Sequence, residues 1–161
     1  MKKQKGFSLI ELLIVVAIIL IIAAIAIPNL LKSRIAANEA SAVGSVRTLN
    51  TGQVTYDNLC QVYSPSILAL NTGGGCAAAA QIIDPALATG TKSGYNLDTG
   101  TPGTTPAGTN TTTFDVHAVP TTAGVSGNRS FCSNQALVIH VNAAGGACDP
   151  LLVGPGTVLG N

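Results

Sequence analysis

The chain has 161 residues, room for one long helix and one small domain but not for two independent cores. Charged residues make up 9% and the formal net charge is +1, which removes the electrostatic case for nucleic-acid binding. The 47% hydrophobic content is swollen by a single apolar run, while 18 Gly, 8 Pro and abundant Thr point to β-structure with long turns in the latter part.

Lys2, Lys3 and Lys5 stand before Gly6-Phe7, and from residue 7 to residue 27 the only polar side chains are Ser8 and Glu11. As a helix this run is roughly 30 Å long, the thickness of a bilayer's hydrocarbon core. Basic flanks stay cytoplasmic, so the lysine cluster sends the remainder across the membrane, weakly opposed by Lys32 and Arg34. A cleaved secretory signal ending at Ala24-Ile25-Ala26 is one alternative. Against it, the apolar run exceeds the usual ~7–15 residues and carries a carboxylate near its start. A plain membrane anchor is another. Glu11 needs its own explanation, because a carboxylate at the centre of a membrane helix costs roughly 2.5–3.5 kcal/mol. It lies about one turn from the cytoplasmic end, where it can snorkel and the cost is smaller. A cut between Gly6 and Phe7 would create an α-amine one helical turn before Glu11, and opposite charges attract strongly in a low-dielectric setting.

The run Lys5-Gly6-Phe7-Ser8-Leu9-Ile10-Glu11-Leu12-Leu13, continuing to Ala26-Ile27-Pro28, resembles the amino-terminal signature of type IV pilins and pseudopilins over about the first 35 residues. The resemblance implies that a prepilin peptidase cuts after Gly6 and methylates the new amine of Phe7. It implies that Glu11 recruits each subunit by pairing with a neighbour's terminal amine, and that the helix kinks and can locally unwind at Pro28. Leu20 departs from the pattern, since many relatives carry glycine there. The implied assembly is a homopolymeric helical filament, a type IV pilus for adhesion and twitching motility, driven by a platform protein and an ATPase encoded elsewhere. The implied precursor sits in the bacterial inner membrane with its carboxy-terminal domain in the periplasm, and the filament is extracellular. The alternatives are a type II secretion pseudopilin and a membrane-anchored periplasmic domain that never polymerises.

Past Pro28 the helical pattern persists, with Leu31, Ile35, Ala42, Val46, Leu49 and Tyr56 in one apolar stripe. Pro28 removes the hydrogen bond to the Ala24 carbonyl, which predicts a bend. Gly44 and Gly52 each weaken the helix by up to ~1 kcal/mol, a burden the stripe must offset by packing on a sheet. The helix is expected to end near residues 56–58. This divides the chain into a leader (1–6), a membrane or filament-core helix half (7–27), an amphipathic half (28–58) and a disulfide-stapled β domain (59–161). Residues 59–91 carry Ser64-Pro65, Gly73-Gly74-Gly75 and Asp84-Pro85, and read as a linker with short helical turns at 77–80 and 82–87.

Strand signals follow in order. Tyr95 and Leu97 alternate with Asn96 and Asp98; Phe114, Val116 and Ala118 alternate with Asp115 and His117. Residues 129–133 give a third strand, and Leu137, Ile139 and Val141, alternating with Val138 and His140, a fourth. The expected fold is α+β: a long amino-terminal α-helix packed on a small antiparallel sheet of about four strands. The threonine-rich stretch 99–113 reads as a solvated hairpin loop, with a sugar-bearing filament surface as the alternative. Asn110-Thr111-Thr112 and Asn128-Arg129-Ser130 fit the glycan acceptor pattern.

An even set of cysteines in an exported chain favours disulfides, and Cys60, Cys76, Cys132 and Cys148 allow three pairings. Cys60–Cys76 with Cys132–Cys148 is preferred because both close short local loops, each stabilising by about 3 kcal/mol on the chain-entropy model. No two cysteines have CxxC spacing, which argues against zinc. The pilin resemblance adds that the second loop encloses the last strand. His117 and His140 read as half-exposed strand histidines with no carboxylate or cysteine at ligand spacing. Nucleophile-elbow, HExxH and phosphate-loop patterns are missing, and Asp57, Asp84, Asp98, Asp115 and Asp149 are too dispersed for a calcium loop. The expectation is no cofactor, no metal and no catalysis: a substrate of an enzyme.

Overall fold

The computed structural model describes residues 7–99, 113–146 and 148, and the chain divides into two compact units, Met1–Arg34 and Ile35–Asn161. Lys2, Lys3, Lys5 and Gly6, the threonine-rich stretch from 100 to 112 with Asn110, and Asp149 lie outside the described residues.

Helix α1 runs Leu9–Cys60, two residues past the expected end, with Pro28 inside it. In the first unit its side chains are exposed, apart from half-buried Ala23, and from residue 12 to residue 28 they are apolar around the whole circumference. A helix without a polar face is at home in lipid or among other helices. It is long and apolar enough to cross a membrane.

The second unit begins with the remainder of α1 and continues through α2 (Ile67–Thr72), a 3₁₀ turn (Ala77–Ala79) and α3 (Pro85–Ala88). Then come β1 (Thr91–Lys92), β2 (Tyr95–Thr99), β3 (Asp115–Pro120), β4 (Ser130–Asn134) and β5 (His140–Asn142), paired antiparallel in chain order as a meander. The sheet therefore has five strands where alternation predicts four. β1 is a two-residue strand joined to β2 through Ser93 (φ 50°) and Gly94 (φ 73°), too short to show a period.

The apolar stripe of α1 faces this sheet. Ala42, Val46, Leu49 and Tyr56 share one buried cluster with Tyr95, Leu97, Val116, Ala118 and Phe131. Of the predicted stripe, Ile35 is only half-buried and Leu31 is exposed. Residues 59–91 are more than a linker, because they place Ile67, Leu70, Ile83 and Leu87 in the same core. Their helices come from caps, not from periodicity. The Ser66 hydroxyl accepts from Ala69 N–H, Gly73 closes α2 in the left-handed region, and the Asp84 carboxylate accepts from Ala86 N–H.

Two further expectations need correction. β5 starts at His140, because Leu137 has φ 60° and its N–H closes a turn onto Asn134 C=O, which takes residues 137–139 out of the strand. His117 is buried at 3% exposure instead of half-exposed, since β3 is covered on both faces.

Candidate assembly interface

At the amino-terminal end, Phe7 is 85% exposed and stands just before α1. Ser8 is the last residue outside the helix, and its C=O accepts the first helical bond from Leu12 N–H at 3.3 Å. Glu11 reaches back over the first turn, its Oε2 accepting from Ser8 N–H at 2.9 Å. This is the glutamate half of a capping box: a side chain three residues into a helix satisfying a backbone donor that the helix leaves unpaired. The pattern Ser8-x-x-Glu11 was available in the sequence as a helix-start signal. The negative charge also sits at the positive end of the helix dipole. A carboxylate in this position retains lone pairs for another donor. Downstream, Pro28 interrupts the run of backbone donors inside the helix, and Lys32 and Arg34 follow as exposed cations.

The second unit is fastened to its own stretch of α1 by a series of polar contacts. Asn38 Nδ2 donates to Ser126 C=O at 2.8 Å, Asn50 Nδ2 to Ser133 Oγ at 2.8 Å, and Tyr56 Oη to Gly73 C=O at 3.0 Å. Gln53 exchanges two hydrogen bonds with the Ser64 backbone. The strongest tie is Glu39. Its Oε1 accepts from Asn128 N–H (2.9 Å) and Arg129 N–H (3.2 Å), and its Oε2 from Arg129 Nε (2.8 Å) and Nη2 (2.6 Å). Burial alone would raise the Glu39 pKa, but the Arg129 guanidinium and the two backbone donors outweigh it and hold the carboxyl below its ordinary value. Nearby, Tyr95 Oη donates to Arg129 C=O at 2.7 Å. Burial, reinforced by the Glu39 charge, pushes the Tyr95 phenol up to about 12. Gly127 lies against the Tyr95 ring so closely that a Cβ there would overlap it.

All four cysteines are paired, Cys60 with Cys76 and Cys132 with Cys148. On the face of the sheet away from α1, the register aligns Asp98, His117, Cys132 and His140 across four neighbouring strands. The two imidazoles thus flank the second disulfide. Both His117 ring nitrogens are buried without a hydrogen-bond partner, and among the described residues no three metal-ligating side chains converge. In the Asn128-Arg129-Ser130 acceptor Asn128 is exposed, whereas Ser130 is fully buried and its hydroxyl donates to Gly146 C=O at 2.5 Å.

Glu39 and its partners are the residues that reading along the chain misses. Their contacts span about 90 residues, and no local spacing announces them.

Residues 1–27 match the family model for the prokaryotic N-terminal methylation motif. The chain is 64% identical over 39 residues to the type IV wide pilus major component PilA4 of Thermus thermophilus, covering 24% of this chain and 30% of that protein. It is 46% identical over 54 residues to the type IV major pilin protein PilA of Myxococcus xanthus (34% of this chain, 24% of that one). With a fimbrial protein of Pseudomonas aeruginosa the identity is 55% over 51 residues, covering 32% of this chain and 33% of that one. The matches span a third or less of these relatives' lengths. No solved structure matches the chain. An apolar helix that begins just after Phe7 and carries Glu11, a methylation motif over the same residues and these three likenesses agree: over its amino-terminal third this chain is similar to type IV pilins.

Proposed function

We propose that this chain is the structural subunit of a type IV pilus, cut after Gly6 and methylated on Phe7 by a prepilin peptidase, then assembled through its amino-terminal helix for adhesion and twitching movement. The observation that carries the reading is the exposed apolar length of α1 beginning at the methylation motif. In the precursor this length lies in the inner membrane, the lysines on the cytoplasmic side and the second unit in the periplasm. In the filament it exchanges lipid for the same helix of other copies. The gain in hydrophobic energy is small, so packing and charge pairing have to supply the specificity. Glu11 supplies the charge: it caps its own helix with one oxygen and offers the carboxylate to the α-amine of a neighbouring Phe7. A repeated asymmetric contact of this kind builds an open helical polymer, not a closed ring. Platform and ATPase components complete the machinery, and the subunit itself performs no catalysis. Its relatives are named as pilus components, which gives a secretion pseudopilin no support.

Intact-mass spectrometry of protein sheared from cells, with electron microscopy of the same material, tests the reading. The expected result is long filaments of a chain beginning at N-methylated Phe7. A chain that keeps its lysine leader, or begins at Ile27, in material without filaments refutes it.

A further inference from the structure

His117 on β3 stands opposite Cys132 on β4, and Cys132 stands opposite His140 on β5. Directly opposed residues of an antiparallel pair share a face, with Cβ atoms about 4.5–5.5 Å apart. One imidazole therefore lies on each side of Cys132, within a side chain's reach. The disulfide brings in Cys148, whose sulfur lies 3.8 Å from the His140 carbonyl oxygen. Both histidines of the chain and two of its four cysteines are thus gathered on one patch of the sheet. The patch is nearly dry, since Cys132 and Cys148 are fully buried and His117 almost so. Yet its nitrogens are idle: both ring nitrogens of His117 and Nδ1 of His140 are buried without a hydrogen-bond partner. Buried polar atoms left unpaired are rare, because each forfeits its hydration for nothing in return.

With the sulfurs joined to each other, among the described residues no three metal-ligating side chains converge. Opening the disulfide changes the donor set. Two thiolates then stand with two imidazoles, the Cys2His2 combination that zinc takes in tetrahedral geometry. Two thiolates also offset the charge of a divalent ion, so the closed complex is neutral and suits a patch shielded from water.

We infer that the dithiol form of this chain binds one zinc ion through His117, Cys132, His140 and Cys148, so that the far edge of the sheet is closed either by a disulfide or by a metal. In the reducing step a dithiol gives two electrons and two protons to the Cys132–Cys148 bond and becomes a disulfide itself. A chain that has not yet been oxidised starts in the dithiol form. Zinc then displaces one proton from each thiol, while the imidazoles bind as neutral ligands. A CxxC pattern does not announce the set, because the ligands come from three strands and the segment after β5. The inference does not depend on the pilus reading.

The experiment uses the full-length chain in detergent with Cys60→Ser and Cys76→Ser, which leaves Cys132 and Cys148 as its cysteines. It is reduced with a dithiol, freed of that reductant without air, and titrated with Co2+ alone and then with Zn2+, while circular dichroism follows the fold. One equivalent of Co2+ should give the intense visible bands of a tetrahedral ion with a sulfur-to-cobalt band, and Zn2+ should remove both. The oxidised chain should give neither. His117→Gln and His140→Gln should each weaken binding by about tenfold or more, since even the partners of a metal ligand are worth that much. His140 is only half-buried, so its replacement leaves the packing around β3 in place. A dithiol chain that has unfolded should regain its strands when Zn2+ is added. Tetrahedral bands missing from the dithiol chain, folded or not, overturn the inference. Cobalt spectra and affinities unchanged in both histidine variants overturn it as well, because the thiolates then hold the ion without the imidazoles.

Discussion

Replacing Glu39 measures what its buried carboxylate contributes. Glu39→Ala strands the Asn128 and Arg129 backbone donors and releases the Arg129 guanidinium. A buried donor left without a partner costs about 1–3 kcal/mol, but Asn128 and Arg129 border solvent and water recovers part of it, so about 2 kcal/mol in total is expected. The Arg129 side chain is 47% exposed, and the attraction between the two charges adds only about 0.5–1 kcal/mol of this. Glu39→Gln keeps an oxygen for the two backbone donors and loses the charge, and should cost about 1 kcal/mol. The assay is urea unfolding of the full-length chain in mild detergent, disulfides intact, followed through buried Tyr56 and Tyr95. The pH dependence has a definite sign. The folded-state pKa of Glu39 lies below its unfolded value, so its contribution is complete above the ordinary carboxylate range and is lost as pH falls through the lowered folded value. The gap between unsubstituted chain and Glu39→Ala should close in acid. If the Ala and Gln variants are equally destabilised, or the gap stays constant down to about pH 2, the carboxylate is not what ties α1 to the β3–β4 turn.

Other expectations follow from the same geometry. Glu11→Gln keeps a capping side chain three residues into the helix while Glu11→Ala removes it, so only Ala should lose hydrogen-exchange protection at the Ser8 amide. Both should lose filaments, and wild-type filament yield from Glu11→Gln would show that charge pairing is not needed. Replacing Cys132 and Cys148 together by serine should lower unfolding stability by about 3 kcal/mol, read by urea titration, because the bridge closes a short loop. Tyr95 titrates near 12 when folded against 10 when unfolded, so stability should be full below pH 10 and fall by about 2–3 kcal/mol between pH 10 and 12, and Tyr95→Phe should lack that alkaline loss. Gly127→Ala should cost about 2 kcal/mol or more in the same titration by driving the Tyr95 ring from its place over the β3–β4 turn.

The amino-terminal helix was legible because lipid-like composition over roughly twenty residues has few other readings. The amphipathic half was legible through its 3.6-residue stripe, and β2 through a clean alternation that burial repeats. Alternation failed where the environment was not two-sided. His117 occupies an outward position by period but is covered, and Leu137 has an apolar spacing but a left-handed backbone. Capped helices of four to six residues, such as α2 and α3, carry too few residues for a period and are announced only by Ser66 and Asp84-Pro85. The methylation motif was readable in Phe7 and Glu11 together, whereas the Glu39 site depends on contacts created only by folding.

The cross-links from α1 to the rest of its unit, at Asn38, Glu39, Asn50, Gln53 and Tyr56, are spread along several turns of helix instead of gathered at one end. A pull along α1 would load them in shear, side by side, so that none is peeled open ahead of the others. Parting the unit from α1 would then need several of these contacts to give way together.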